Sequence, residues 1–184
     1  MFKELPAKKA YTLLESGPIV LVATSGPRGH NVMTMGFHMM VQHEPALVAC
    51  MIGPWDHSYT ALRETGECVI SIPTVDLAEQ VTRIGNCSGQ DVDKFATFGL
   101  HALPASTVDA PLIKECIANL ECKIADTTMV ERYNLFILEV SKIWVDQSRH
   151  ERRLIHHAGD GAFIVDGDTV DMRRHMTKWR YLID

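Results

Sequence analysis

Gly29-His30-Asn31-Val32-Met33-Thr34-Met35-Gly36 is the stretch on which the reading of this chain turns. It follows an apolar run, Pro18-Ile19-Val20-Leu21-Val22-Ala23-Thr24, and a turn, Ser25-Gly26-Pro27-Arg28-Gly29. The turn residues fix a hairpin between two strands, the first over Ile19–Thr24 and the second over Val32–Val41. Asn31, Thr34 and Gly36 interrupt the second strand, a methionine-rich run in which branched aliphatics would pack best. A strand that gives up packing at Thr34 and Gly36 leaves room for a ligand to approach its backbone. A flat ring with hydrogen-bonding edges is one such ligand; an edge strand with a bulge at Gly36 is the plainer alternative.

Outward from the hairpin, further strands are expected over Leu47–Ile52, Cys68–Ile72, Ala118–Asp126, Leu135–Val145 and Ala162–Val165, the last running into a turn at Asp166-Gly167-Asp168. A helix over His57–Glu64 is closed by Gly66, and Asp76 is the expected N-cap of a helix over Leu77–Ile84 that Gly85 ends. Asn86–Asp93 reads as a polar loop. Short helices are expected over Ala7–Glu15 and over the basic tail Met172–Leu182. Many strands with a few inserted helices point to an antiparallel barrel. There is no repeating βαβ pattern and no G-x-G-x-x-G after a strand, which argues against a Rossmann nucleotide fold.

The 184 residues fit one domain with a sizeable core. A net charge of −5 with no basic stripe argues against nucleic acid as a partner. No apolar run approaches the length of a membrane span, and the first residues lack the apolar core of a secretion signal. The five cysteines are odd in number and lack C-x-x-C spacing, so neither a disulfide framework nor a zinc site is indicated. Cys50 and Cys68 sit in apolar runs as small core residues, and a reducing, cytoplasmic setting fits. Cys87, in a polar loop, is the accessible one.

Three constellations bear on chemistry. In Pro54-Trp55-Asp56-His57-Ser58-Tyr59-Thr60 a strand runs into a helix, and free N–H groups with the Ser58 and Thr60 hydroxyls suit a phosphate. The competing reading makes Asp56 or Ser58 a simple N-cap. In Ser88-Gly89-Gln90-Asp91-Val92-Asp93-Lys94-Phe95 a Ser-Gly turn offers amides and Lys94 offers positive charge; a solvated surface loop is the alternative. In His156-His157-Ala158-Gly159-Asp160-Gly161 adjacent histidines face opposite sides of a strand, which is poor spacing for a metal site. No Ser-His-Asp or Cys-His arrangement emerges.

Taken in order, these segments resemble the flavin reductase-like family with the FMN-binding split-barrel fold, and within it the flavoredoxin-like branch. The resemblance runs from about Pro18 to Asp171. It is carried by Pro18–Thr24, Asn31-x-Met33-Thr34-x-Gly36-Phe37, Ser58-x-Thr60, Gly66-Glu67-Cys68-Val69-Ile70, Ser88–Phe95, Ala110-Pro111-Leu112-Ile113, Leu120-Glu121-Cys122 and His156–Gly161. It implies a mainly β fold, a six-stranded antiparallel Greek-key split barrel with inserted helices, and a homodimer with FMN near its interface. It implies that Asn31, Met33, Thr34, Met35 and Gly36 line the ribityl chain and ring, that Ser58 and Thr60 hold the phosphate, and that Cys87, Ser88 and Lys94 close the site. Gln90 stands where the family often has arginine, and Phe37 where it often has tryptophan. The implied activity takes hydride from NAD(P)H and passes electrons to free flavin, a small redox protein or a monooxygenase partner, with His157 the candidate titrating group. A non-catalytic FMN carrier or a haem-binding split barrel are the alternatives.

Overall fold

β1 (Val20–Gly26) and β2 (Gly29–Met35) form the expected hairpin, paired from Val20 opposite Met35 to Gly26 opposite Gly29. Gly29 takes the left-handed φ of 95° that the turn requires. The computed structural model describes Pro6 and residues 17–175, so the helix expected over Ala7–Glu15 and most of the one over Met172–Leu182 lie outside the described residues.

The main sheet has seven strands rather than six, all antiparallel, in the order β2-β1-β5-β8-β9-β4-β3. Here β3 is His38–Gln42, β4 Leu47–Met51, β5 Glu67–Ile72, β8 Ala118–Asp126 and β9 Leu135–Val145. The additional strand has a local cause. The single strand expected over Val32–Val41 breaks at Gly36-Phe37, where the His38 N–H donates to the Gly36 carbonyl at 3.1 Å. The two halves lie on opposite edges of the sheet. Consecutive segments can occupy both edges only if the sheet rolls until those edges approach. His38, the first residue of β3, is 2.7 Å from the Pro18 carbonyl just ahead of β1.

β1 is apolar from Val20 to Ala23, where both of its faces are covered. Val20 and Val22 point into the rolled sheet with Met35, Val48, Cys50, Cys68, Cys122, Phe136 and Leu138. Ile19, Leu21 and Ala23 point outward into a second core, built with Leu77, Val81, Ile84, Phe95 and Ile113. The helices α1 (His57–Thr65), α2 (Ala78–Gly85), α3 (Lys94–Phe98) and α4 (Val130–Tyr133) connect the strands. Gly66 closes α1 in the left-handed conformation at φ 74°, as its position predicts. Asp76 does not cap α2: it lies inside a 3₁₀ turn, Val75–Leu77, that leads into the helix. Its carboxylate instead accepts from Thr74 Oγ1 at 2.6 Å and from Arg149 at 2.6 Å. Short pairs β6 (Ala102–Leu103) with β7 (Leu112–Ile113), and β10 (Ile155–Gly159) with β11 (Ala162–Val165), complete the chain.

Candidate functional site

A cavity of about 300 Å³ opens where α2 and the loop after it meet β2. Asn31, Met33 and Thr34 form the strand wall, and Ile84 to Ser88 form the opposite wall. Trp55, Asp56, His57 and Lys94 complete it. Two side chains of β2 fasten the frame. Thr34 Oγ1 donates to the Val81 carbonyl of α2 at 2.6 Å, and Asn31 Nδ2 donates to Ser58 Oγ of α1 at 2.8 Å. The loop is pressed just as closely, since a Cβ on Gly89 would run into Asn31 Oδ1 and the His57 ring.

Lys94 is the unusual member. The Asp93 carboxylate caps α3 by accepting from the Ala96 N–H at 3.1 Å, and the lysine that follows turns inward until it is 4% exposed. Its Nζ donates to the Ile84 carbonyl at 2.9 Å, near the C-terminus of α2, where the helix dipole favours a cation. Cys87 Sγ approaches the same carbonyl at 3.7 Å. Burial pushes the Lys94 pKa down, and the nearby Cys87 and Asp56 only partly oppose this. Among the described residues no carboxylate forms an ion pair with it. A buried ammonium with two N–H groups still to place fits an anionic ligand. That donor set suits a phosphate-bearing cofactor such as FMN.

Beside it, Arg28 Nη2 lies 3.2 Å from both ring nitrogens of His57. The His57 pKa is lowered first by burial and then by the Arg28 and Lys94 charges, with Asp91 opposing. The imidazole is thereby held toward its neutral form.

Of the residues expected at the site, Asn31, Met33, Thr34, Cys87, Ser88 and Lys94 share this one cavity. The others stand elsewhere. Met35 points into the rolled sheet beside Val20 and Val22. Gly36 makes the corner between β2 and β3. Ser58 is fully buried behind the cavity wall, where its hydroxyl accepts from Asn31 and, at 3.4 Å, from Thr24. Thr60 lines a neighbouring cavity of about 220 Å³ with Arg28 and His57. His157 sits on β10 with its ring 5.2 Å from that of Phe163, outside the lining of the 300 Å³ cavity. Trp55 and His57, in the wall of this cavity, and Arg28, in the wall of the neighbouring one, are residues that the motif reading passed over. Arg28 and His57 are 29 positions apart and meet only when the hairpin turn packs on α1, so no local pattern announces them.

The sequence profile described as "Flavin reductase like domain" matches residues 14–163, so the chain belongs to the flavin reductase-like family. The fold resembles flavoredoxin of Desulfovibrio vulgaris (Miyazaki F), with a TM-score of 0.83, 26% identity, and coverage of 93% of this chain and 96% of that one. It also resembles an FMN-binding domain of a flavin reductases-like enzyme from Shewanella baltica OS155, with a TM-score of 0.79, 25% identity, and coverage of 91% and 95%. An uncharacterized protein of Archaeoglobus fulgidus is 32% identical over 116 residues, which is 63% of this chain and 66% of that protein.

Proposed function

We propose that this member of the flavin reductase-like family is an FMN-dependent oxidoreductase that takes hydride from NADH or NADPH and delivers the electrons to free flavin or a small redox acceptor. The observation that carries the reading is the buried Lys94 ammonium, paired with no carboxylate among the described residues, in a cavity walled by Asn31, Thr34 and Ser88. FMN-binding and flavoredoxin proteins with the same fold support it. FMN, when bound, supplies a ring that accepts hydride and releases electrons.

The chain's own residues bind and orient. Lys94 offers charge and two N–H donors to a phosphate and Ser88 a hydroxyl in the same cavity, while Thr60 offers its hydroxyl in the neighbouring one. Asn31 and Thr34, already fixed to α1 and α2, present a rigid wall, so little side-chain freedom is lost when a ligand settles. The Arg28 and Lys94 charges keep the field at His57 positive, which favours an anionic ligand. His157, on β10 outside the lining of this cavity, is the proposed catalytic residue: His157→Ala is expected to slow anaerobic reduction while FMN remains bound, and unchanged stopped-flow kinetics removes it from the reaction.

The reading includes a homodimer with the cofactor near its interface. Phe37, Met39, Met40 and Val41, on the β3 edge just past Gly36, are all exposed, and a second copy is the proposed cover. A monomeric mass in dilute native solution refutes this part. It also includes a small redox protein or monooxygenase as acceptor and a cytoplasmic setting, consistent with five free cysteines. No helix among the described residues is long and apolar enough to cross a membrane.

The deciding experiment is spectroscopic. The purified protein is expected to show, or to take up, FMN, and anaerobic NADH or NADPH is expected to bleach it at a catalytic rate. Bound flavin that neither nucleotide bleaches makes the protein a carrier. A Soret band in place of flavin absorbance refutes the FMN reading.

A further inference from the structure

We propose that Trp55 is a stacking surface for a planar, electron-poor ring at the mouth of the 300 Å³ cavity, an inference that rests on the flavin reading above. Trp55 lines the cavity and yet is 68% exposed. Exposure alone would not single it out; what does is that this broad aromatic surface stands in the wall of a cleft whose other walls are mostly polar.

The exposure is built in by the turn. The indole lies flat on Gly53, so closely that a Cβ there would collide with Cζ2, Cε2 and Cη2 of the ring. The turn is locked from both ends. The Gly53 N–H donates to Asp56 Oδ2 at 2.9 Å, and the Asp56 N–H donates to the Gly53 carbonyl at 2.9 Å. One face of the indole is therefore covered by backbone while the other stays open, and the ring is held in place before any ligand arrives. The remaining walls supply mostly polar groups: Asn31, Thr34, Asn86, Ser88 and Lys94. Trp55 supplies the broad aromatic face that a flat heterocycle needs.

An electron-rich indole attracts an electron-poor ring in offset stacking. Two rings in the proposed reaction have that character, the isoalloxazine of the cofactor and the nicotinamide of the donor, and one test separates them. Trp55→Ala, Trp55→Phe and Gly53→Ala are made in the full chain. FMN is titrated into each apoprotein and followed by flavin fluorescence. NAD⁺, which does not react with oxidised flavin, is titrated into each FMN-loaded protein and followed by calorimetry.

Trp55→Ala is expected to weaken FMN by about tenfold or more if the flavin stacks, or to leave FMN unchanged and weaken NAD⁺ by about tenfold if the nicotinamide does. Trp55→Phe is expected to stay within about threefold of the parent on the affected ligand, because a phenyl ring still stacks. Gly53→Ala, which lifts the indole from its seat, is expected to follow Trp55→Ala. Parent-like affinities of Trp55→Ala for both ligands overturn the proposal, as does a change in sedimentation mass with both affinities intact, which assigns Trp55 to a protein contact. An unsubstituted apoprotein that takes up no FMN overturns the flavin reading itself, a distinct result from FMN binding that ignores Trp55.

Discussion

Replacing Glu121 with glutamine is expected to destabilise the protein by about 3 kcal/mol at pH 7, and the deficit is expected to shrink in acid. Glu121 sits on β8 with no exposed surface. Its Oε1 accepts from the Ser106 N–H at 2.9 Å and from Trp144 Nε1 at 2.7 Å; its Oε2 accepts from the Thr107 N–H at 2.6 Å and Thr107 Oγ1 at 2.5 Å. Burial pushes the carboxyl pKa up, but the hydrogen bonds from Thr107, Trp144 and Ser106 outweigh it and bring the pKa from an ordinary 4.5 to about 2. At about 1.4 kcal/mol for each tenfold in the proton equilibrium, that difference corresponds to about 3 kcal/mol. A glutamine keeps the size, but its NH₂ must face donors where an oxygen faced them. The folded carboxyl holds its proton less tightly than the unfolded one. Its stabilisation is therefore complete above pH 4.5 and is lost as the pH falls toward about 2. Urea unfolding of both proteins at pH 7 and pH 3 measures the effect, and the gap is expected to narrow by about 2 kcal/mol between them. A gap below about 1 kcal/mol at pH 7, or one equal at the two pH values, refutes the reasoning.

Lys94→Met is expected to leave unfolding stability within about 1 kcal/mol of the parent or to raise it, because burial already disfavours the ammonium, while FMN affinity falls by about tenfold or more. Thermal melts and an FMN titration on the same sample check both halves. Ser58→Ala strands the Asn31 amide in a buried site and is expected to cost about 1–3 kcal/mol in urea unfolding. Gly89→Ala drives a Cβ into Asn31 and His57, so the loop must lift. It is expected to weaken FMN binding several-fold with a melting temperature within a few degrees of the parent, and an unchanged FMN titration argues against the loop as a site wall.

The hairpin at Gly29, the Gly66 stop and the long strands β8 and β9 were legible because turn chemistry and β-branched runs act locally. The strand count was not. Nothing in Val32–Val41 states that Gly36-Phe37 sends its halves to opposite edges; that corner depends on His38 reaching the Pro18 carbonyl across the rolled sheet. Asp76 had the composition of a cap, but Arg149, distant in sequence, draws its carboxylate away. At the site, the polar breaks on β2 were readable from their departure from strand norms, whereas Cys87, Ser88 and Lys94 followed only from the family resemblance, because the loop before α3 reads by itself as a solvated surface loop. Ser58 was misleading for the same reason that it looked promising: a hydroxyl at a helix start serves a buried neighbour as readily as a phosphate. Arg28 and His57 carried no local signal at all.

The polar breaks in β2 have a physical role before any ligand is considered. Branched aliphatics at positions 31 and 34 would leave the Val81 carbonyl and Ser58 hydroxyl facing hydrocarbon, and α1 and α2 would then dock on β2 without these two bonds. Asn31 and Thr34 supply those bonds, and in doing so they fix the gap between β2 and α2. A Cβ on Gly85 would lie 3.3 Å from Thr34 Cβ, so the helix end is seated slightly closer to the strand than an alanine would comfortably allow. The cavity is thus the space left beside these three contacts, with Lys94 buried at its edge as the charge still to be matched. A side chain that latches two elements also holds the wall between them still, and a wall held still before binding loses little freedom when a rigid planar ligand arrives. It follows that Thr34→Val should loosen α2 and the ligand together: the two losses are expected to appear in one variant, by hydrogen exchange at Val81–Gly85 and by FMN titration. A variant that loses FMN affinity with α2 protection intact assigns Thr34 a direct ligand contact instead of this shared role.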